Sequence, residues 1–204
     1  MCVGLRKGNL VVVHDGSFMP YVSHTICSAA FAIQCTSTGN RAFGTVLENI
    51  SSADNFHAEL LGGLMAALVM KTTTSYDPSQ TYLDLTMDCD NDAVVSHGNT
   101  PNSSLKAKQN QVDVIHLYKS IIRNLSLVTN INHVDGHLDD ILHWDQLLLS
   151  QQLNCFCDSP TKDSLITAFL EPNFILSCFP FEDIYISVNS NKFTDNAKKT
   201  IYRH

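Results

Sequence analysis

Two short stretches of this chain each place a single acidic residue among apolar neighbours. The first, Val-Val-Val-His-Asp-Gly-Ser-Phe, carries Asp15, and the second, Asn-Phe-His-Ala-Glu-Leu-Leu-Gly-Gly-Leu, carries Glu59. A carboxylate in such surroundings costs free energy unless a positive group compensates it. Further acids follow at Asp88, Asp90 and Asp158. The pattern predicts a cluster of acids that holds a divalent cation.

The apolar patterns of the first half predict three strands and a helix. Residues 10–18 are rich in β-branched side chains, 26–37 are small and apolar, and 41–50 follow a Thr-Gly-Asn turn as the returning strand. Apolar residues at helical spacing over 56–71 predict a helix, whose Gly62-Gly63 pair indicates tight packing against a sheet. The three strands are expected to form an antiparallel meander.

The second half continues with alternating strands and helices. Strands are predicted over 82–89 and 127–134, and helices over 92–96, 111–125, 144–153 and 161–170. With the 144–153 helix set aside as an insertion, the order is βββαβααβα, which indicates an α/β fold with a mixed sheet flanked by helices. Residues 1–170 are expected to form one domain. Residues 171–204, with a further strand over 179–188, are expected to be a C-terminal extension, the truncated start of a following region.

This element order would bring the acids together. Asp15 ends the first strand, Glu59 lies near the start of the first helix, and Asp88 or Asp90 ends the fourth strand, which should neighbour the first. Clustered carboxylates raise one another's pKa values unless cations neutralise them. Ligation by oxygen alone favours Mg²⁺ or Mn²⁺ over zinc. Two such ions about 4 Å apart are the usual arrangement for phosphodiester hydrolysis.

Composition limits the partners of the chain. The formal net charge is −7, so the whole surface cannot attract nucleic acid, and any such binding must rely on bound cations, a partner domain or local basic groups. Seven cysteines without framework spacing indicate free thiols and a reducing, intracellular compartment. No secretory signal is evident, and no membrane association is expected, because no apolar stretch reaches the ~18 residues of a membrane span.

Five short motifs, in the same chain order, resemble those of the type 1 ribonuclease H family, particularly the domains attached to the reverse transcriptases of retroelements. They are Asp15-Gly16-Ser17, His57-Ala58-Glu59-Leu60, Cys89-Asp90-Asn91, His133-Val134-Asp135-Gly136-His137, and Asn154-Cys155-Phe156-Cys157-Asp158 with Lys162. Each motif alone is weak, but all five fall between the expected elements. The resemblance implies a ribonuclease H-like fold with a five-stranded mixed sheet.

The resemblance also implies roles for particular residues. Two Mg²⁺ ions, replaceable by Mn²⁺, would be held by Asp15, Glu59, Asp90 and Asp158. His137 would lie on a mobile loop and assist proton transfer or product release. Substrate contacts are expected from Gly16, Ser17, Asn91 and Asn154. The implied substrate is the RNA strand of an RNA–DNA hybrid, and the implied partner is a reverse transcriptase domain in the same polyprotein.

Several alternatives remain open at the level of sequence. Asp88 fits the strand alternation nearly as well as Asp90, although the Asn and the apolar residues that follow favour Asp90. A zinc site built from Cys155 and Cys157 lacks the usual ligand spacing. A non-catalytic descendant of the same fold, acting as a nucleic-acid or protein interaction module, is the main rival to a nuclease. A 3′–5′ exonuclease or a transposase fits the spacing of the acids less well.

Overall fold

The computed structural model describes residues 7–76, 85–100, 111–125, 128–170, 186–188 and 191–193. The strands of the main sheet are β1 (Leu10–Ser17), β2 (Ile26–Cys35), β3 (Arg41–Asn49), β4 (Leu85–Cys89) and β5 (Val128–His133). The helices are α1 (Asn55–Tyr76), α2 (Asp92–Asn99), α3 (Val112–Asn124) and α4 (Leu149–Leu170). A separate pair of short strands is formed by β6 (Ile186–Val188) and β7 (Asn191–Phe193).

The five strands form one mixed sheet in the order β3-β2-β1-β4-β5. The pairs β1–β2 and β2–β3 are antiparallel, while β1–β4 and β4–β5 are parallel. The predicted meander and the predicted adjacency of the first and fourth strands are therefore confirmed. Because β1 and β4 run in the same direction, their carboxyl ends lie at the same edge of the sheet, with Asp15 near the end of β1 and Asp90 directly after β4.

Helix α1 packs against β1 so closely that a side chain at either of two of its glycines would be crowded. A Cβ atom at Gly62 would lie 3.0 Å from the carbonyl oxygen of Asp15, and one at Gly63 would lie 2.9 Å from Nε2 of His14. The Gly62-Gly63 pair therefore marks tight helix–sheet contact, as the sequence predicted. This contact places the start of α1 over the end of β1.

The sheet is covered on both faces. One face packs against α1 and α3 and forms the main core, in which Val12, Leu64 and Tyr118 are completely buried. The opposite face packs against α4 through a smaller apolar group that includes Val13 and Leu153. In β2, most side chains are buried on both faces, which explains its small apolar residues.

The C-terminal part of the domain differs from the sequence prediction. Helices over 144–153 and 161–170 were expected, with the last one starting near Asp158, but α4 runs without interruption from Leu149 to Leu170. The prediction of two helices was wrong: a proline favours the first turn of a helix, which suggests a helix start near Pro160, but Pro160 lies inside α4. Pro160 has no N–H to donate, and the neighbouring Thr161 hydroxyl donates to the carbonyl oxygen of Asp158 at 2.7 Å.

The segment between His137 and α4 contains two short 3₁₀ turns, Leu138–Asp140 and Trp144–Gln146, and carries exposed apolar side chains that include Trp144.

The strand predicted over 179–188 lies mostly outside the described residues, so the division at residue 170 stays a prediction. Among the helices that the structure describes, none combines the length and the apolar character that crossing a membrane requires.

Candidate metal centre

Three carboxylates meet at the carboxyl ends of the two central strands. Asp15 lies near the end of β1, Asp90 directly follows β4, and Glu59 lies in the second turn of α1. One oxygen from each carboxylate lies within 4.8 Å of one from each of the others. Asp15 and Glu59 are only 5% and 6% exposed, and Asp90 is partly buried. The centre therefore draws on elements that are distant in sequence.

Gly16 sets the distance between β1 and α1 at this centre. A Cβ atom at Gly16 would lie 2.3 Å from both the carbonyl carbon of Ala58 and the backbone nitrogen of Glu59. No side chain can be accommodated at such distances, so the helix backbone passes directly over this residue. The Gly16 N–H also donates to Oδ1 of Asp15 at 2.8 Å. Gly16 thus holds Asp15 and Glu59 close together.

The free carboxylates repel one another in a poorly solvated place. Burial, together with the charges of Asp90 and Asp158, raises the pKa of Asp15 from 3.8 to about 7. Burial and the charges of Asp15 and Asp90 raise the pKa of Glu59 as well. Without cations, the pair is thus expected to retain a proton well above the normal range of carboxylic acids. A divalent cation bound in place of this proton would offset the repulsion between the carboxylates.

Asp158 lies beside this group, with its carboxylate engaged elsewhere. Its Oδ2 accepts a hydrogen bond from Nζ of Lys162, one helical turn later, at 2.6 Å. Nδ1 of His137 lies 3.9 Å from the same oxygen. The charge of Asp158 raises the pKa of Asp15, although the residue is outside the 4.8 Å group. In this structure the ammonium group of Lys162 balances the charge of Asp158, as a metal ion would do at the same carboxylate.

The structure distinguishes the two candidates for the third acid. In the parallel pair β1–β4, Val13 pairs with Asp88, while Asp90 directly follows β4 at the end of the sheet that carries Asp15. Asp90 belongs to the carboxylate cluster, whereas Oδ1 of Asp88 accepts a hydrogen bond from Nδ2 of Asn132 on β5 at 3.2 Å. The geometry therefore favours Asp90.

The loop after β5 covers Asp90 in a way that sequence reasoning missed. A Cβ atom at Gly136 would lie 2.5 Å from Oδ2 of Asp90, so any larger residue would displace that carboxylate. The next residue, His137, has a left-handed backbone (φ 53°) and a side chain that is 61% exposed. The Asp-Gly-His sequence was the available signal, but only the fold shows which acid it contacts.

The residues that the sequence predicts to contact substrate have different surroundings in the structure. The side chain of Asn91 caps α2, because its Oδ1 accepts from the N–H groups of Ala93 and Val94. Ser17 is buried at the end of β1. Asn154 is buried in α4, and its Nδ2 has no hydrogen-bond partner within the part of the chain that the structure describes. Their substrate-binding roles stay predictions.

These residues fit a hard divalent cation. The cluster of Asp15, Glu59 and Asp90 offers only carboxylate oxygens, which are the ligands of Mg²⁺ and Mn²⁺. Burial and, after it, the charges of neighbouring acids raise the pKa values of Asp15 and Glu59, and a bound cation would offset both effects. The set would be completed by Asp158 if its carboxylate were released from Lys162.

Comparisons with solved structures identify the fold. The ribonuclease H domain of PFV is 11% identical, with a TM-score of 0.52, over 78% of this chain and 95% of that domain. LC11-RNase H1, solved in complex with an RNA/DNA hybrid, is 12% identical, with a TM-score of 0.51, over 78% of this chain and 98% of that protein. No protein-family model matches the sequence, and no curated protein does. The chain has the ribonuclease H fold.

The raised pKa of Asp15 predicts an unusual pH dependence of stability in the absence of metal. Between pH ~4 and ~7, the folded protein holds a proton that the unfolded chain has already lost. The free energy of unfolding should therefore fall as the pH rises through this range, by at most about 1.4 kcal/mol per pH unit for one group. Urea denaturation in EDTA from pH 4.5 to 8 measures this contribution as the difference between wild type and Asp15→Asn. A difference that does not change with pH would contradict it.

Proposed function

We propose that this chain is a metal-dependent endonuclease that hydrolyses the RNA strand of RNA–DNA hybrids. The observation that carries the proposal is the convergence of Asp15, Glu59 and Asp90 within 4.8 Å at the carboxyl ends of the two central strands. The fold shared with LC11-RNase H1, a protein solved with an RNA/DNA hybrid, supports the same substrate class. The resemblance of its motifs to domains attached to reverse transcriptases supports an origin in a retroelement polyprotein, with such a domain as partner.

In this proposal the carboxylates bind divalent ions and fix their positions. Asp15, Glu59 and Asp90 would hold divalent ions, with Asp158 as the fourth acid. When bound, such ions activate water and stabilise the charge that develops on the leaving oxygen. The Gly16 contact with the backbone of α1 keeps Asp15 and Glu59 from separating under their mutual repulsion. Gly136 lies against Asp90 and limits the space available to that carboxylate.

His137 is suited to proton exchange at the edge of the centre. Its Nδ1 lies 3.9 Å from Oδ2 of Asp158, and its ring is largely exposed on the loop after β5. An imidazole in this position can accept or donate a proton near the reacting phosphate. We therefore propose that His137 assists proton transfer or product release.

The substrate class can be tested with three duplexes of one sequence. A labelled RNA strand is paired with DNA, a second copy is paired with RNA, and a labelled DNA strand is paired with RNA. We expect Mg²⁺-dependent cleavage of the first alone, leaving 5′-phosphate and 3′-hydroxyl ends, since hybrids are recognised by shape and 2′-hydroxyl groups. Binding of the hybrid without cleavage, in either Mg²⁺ or Mn²⁺, would contradict the proposal and support the interaction module instead.

Two single substitutions test the assignment of the third acid. Asp90→Asn should lower kcat/KM for hybrid cleavage by ~10³-fold, because it removes a carboxylate of the cluster and with it several kcal/mol of charge stabilisation. Asp88→Asn is its matched control, and we expect less than a ~10-fold change, because Asp88 contacts Asn132 rather than the other acids. Equal losses in the two variants, or a larger loss in Asp88→Asn, would overturn the assignment.

A further inference from the structure

A second group of metal-binding side chains lies apart from the carboxylate cluster. Cys27 on β2 and Glu48 on β3 are directly paired antiparallel residues, so their side chains lie on the same face of the sheet. His57, in the first turn of α1, packs onto this face, with its Nε2 2.6 Å from Oε2 of Glu48. Ligand atoms of the three residues all lie within 4.8 Å of one another. All three residues are 0% exposed.

Burying these three side chains without a cation costs free energy. Apolar side chains of similar size would avoid the desolvation of a carboxylate and an imidazole. The Nδ1 atom of His57 is buried without a hydrogen-bond partner among the described residues. Burial, with the charges of Glu48 and Asp54, raises the pKa of the Cys27 thiol. The acids Glu48 and Asp54 lie close enough to add to this shift, so a cation at the group would lower the free-energy cost of burying all three side chains.

The kind of ligand atom identifies the cation. One sulfur, one imidazole nitrogen and one carboxylate oxygen match three of the four ligands that zinc takes, and the fourth would be a molecule from solvent. Magnesium prefers a shell made only of oxygens. We propose that Cys27, Glu48 and His57 form a buried zinc site that is separate from the magnesium centre. On binding, Cys27 loses its thiol proton to solvent and coordinates as a thiolate, so zinc binding is coupled to proton release.

The position of the group gives the site a structural role. Zinc would connect the start of β2, the end of β3 and the first turn of α1, two residues before Glu59. It would therefore stabilise the fold and fix the beginning of the helix that carries Glu59. A third group of potential ligands, His14, Glu59 and Cys89, shares Glu59 with the carboxylate cluster and so belongs to the centre already described.

The test uses the full chain, exposed to Zn²⁺ and then dialysed against excess Mg²⁺, with bound zinc measured by elemental mass spectrometry. We expect one zinc per chain in the wild type. Cys27→Ser should lose it, whereas Cys35→Ser, in the same strand but outside the group, should keep it. Asp15→Asn and Cys89→Ser should also keep it, because they alter only the other two groups. Zinc added to metal-free wild type should raise Tm by roughly 5 °C.

Glu48→Gln keeps the shape of the side chain and removes its charge. It therefore tests the zinc site if Cys27→Ser does not fold. We expect its zinc affinity to fall at least tenfold, with an unchanged circular dichroism spectrum. A wild type that retains no zinc would overturn the proposal. So would zinc that is retained by Cys27→Ser or by Glu48→Gln at the wild-type level, or zinc that is lost from Cys89→Ser. None of these measurements depends on nuclease activity, so they test the zinc site independently of the proposed function.

Discussion

Asp15→Asn is expected to abolish Mg²⁺-dependent cleavage while making the metal-free protein more stable. Activity should fall by ~10³-fold or more, because the substitution removes a buried carboxylate of the proposed metal centre, with a contribution of several kcal/mol of charge stabilisation. Stability in EDTA should rise because Asn carries no charge next to Glu59 and Asp90. At a pH above the pKa of Asp15 in both the folded and the unfolded chain, each unit by which folding raises that pKa lowers the free energy of unfolding by about 1.4 kcal/mol.

The two effects can be measured on the same preparation. At pH 8 in EDTA, we expect Asp15→Asn to unfold at a Tm at least ~2 °C above the wild type. Added Mg²⁺ should raise the Tm of the wild type and have little effect on the variant. Asp88→Asn is the matched control, since it removes an acid outside the cluster. Cleavage that survives Asp15→Asn would remove the nuclease proposal, and a variant less stable than wild type in EDTA would contradict the electrostatic argument.

Gly16→Ala is expected to have the largest effect on stability of any single methyl group added to this centre. The new Cβ atom would lie 2.3 Å from backbone atoms of Ala58 and Glu59, which belong to a helix and cannot move individually. Helix α1 would have to shift away from β1 and separate Glu59 from Asp15. We expect a loss of about 3 kcal/mol or more in the free energy of unfolding, at the upper end of overpacking effects, and loss of activity with it.

Gly39→Ala is the control for this substitution. Gly39 lies in the turn between β2 and β3 with φ of 70°, and an added Cβ atom there would meet no atom within 4 Å. Only the left-handed backbone is strained, which costs about 1 kcal/mol. Urea denaturation of both variants separates the effects. If Gly16→Ala were no less stable than Gly39→Ala, α1 would not pass over β1 as closely as the structure shows.

The local elements were predictable because each depends on short-range patterns. The β-branched run before Asp15 and the apolar spacing after Asn55 gave β1 and α1 with ends within a few residues of those observed. The Gly62-Gly63 pair indicated the tight contact of α1 with the sheet. Helix α4 was split in the prediction, because proline is a strong local signal for a helix start and its tolerance inside a helix depends on packing.

The site was less predictable than the fold. Asp88 and Asp90 share one face of a strand by alternation, so periodicity could not separate them. Only the parallel pairing of β1 with β4 and the docking of α1 bring Asp90 to Asp15 and Glu59 and leave Asp88 against Asn132. The hydrogen bond of Lys162 to Asp158 was also invisible in sequence, although the two residues are one helical turn apart, because it requires the helix to continue through Pro160.

The sequence by itself determined most of the strands and helices, with α4 as the exception, and which acids stand among apolar neighbours, since both follow from side chains close together in the chain. The tertiary structure alone decided which acids meet, how closely Gly16 brings β1 to α1, and that Cys27, Glu48 and His57 share one buried space. Strand register and helix docking join residues that are far apart in sequence. They depend on the summed packing of the whole core, which no short pattern encodes.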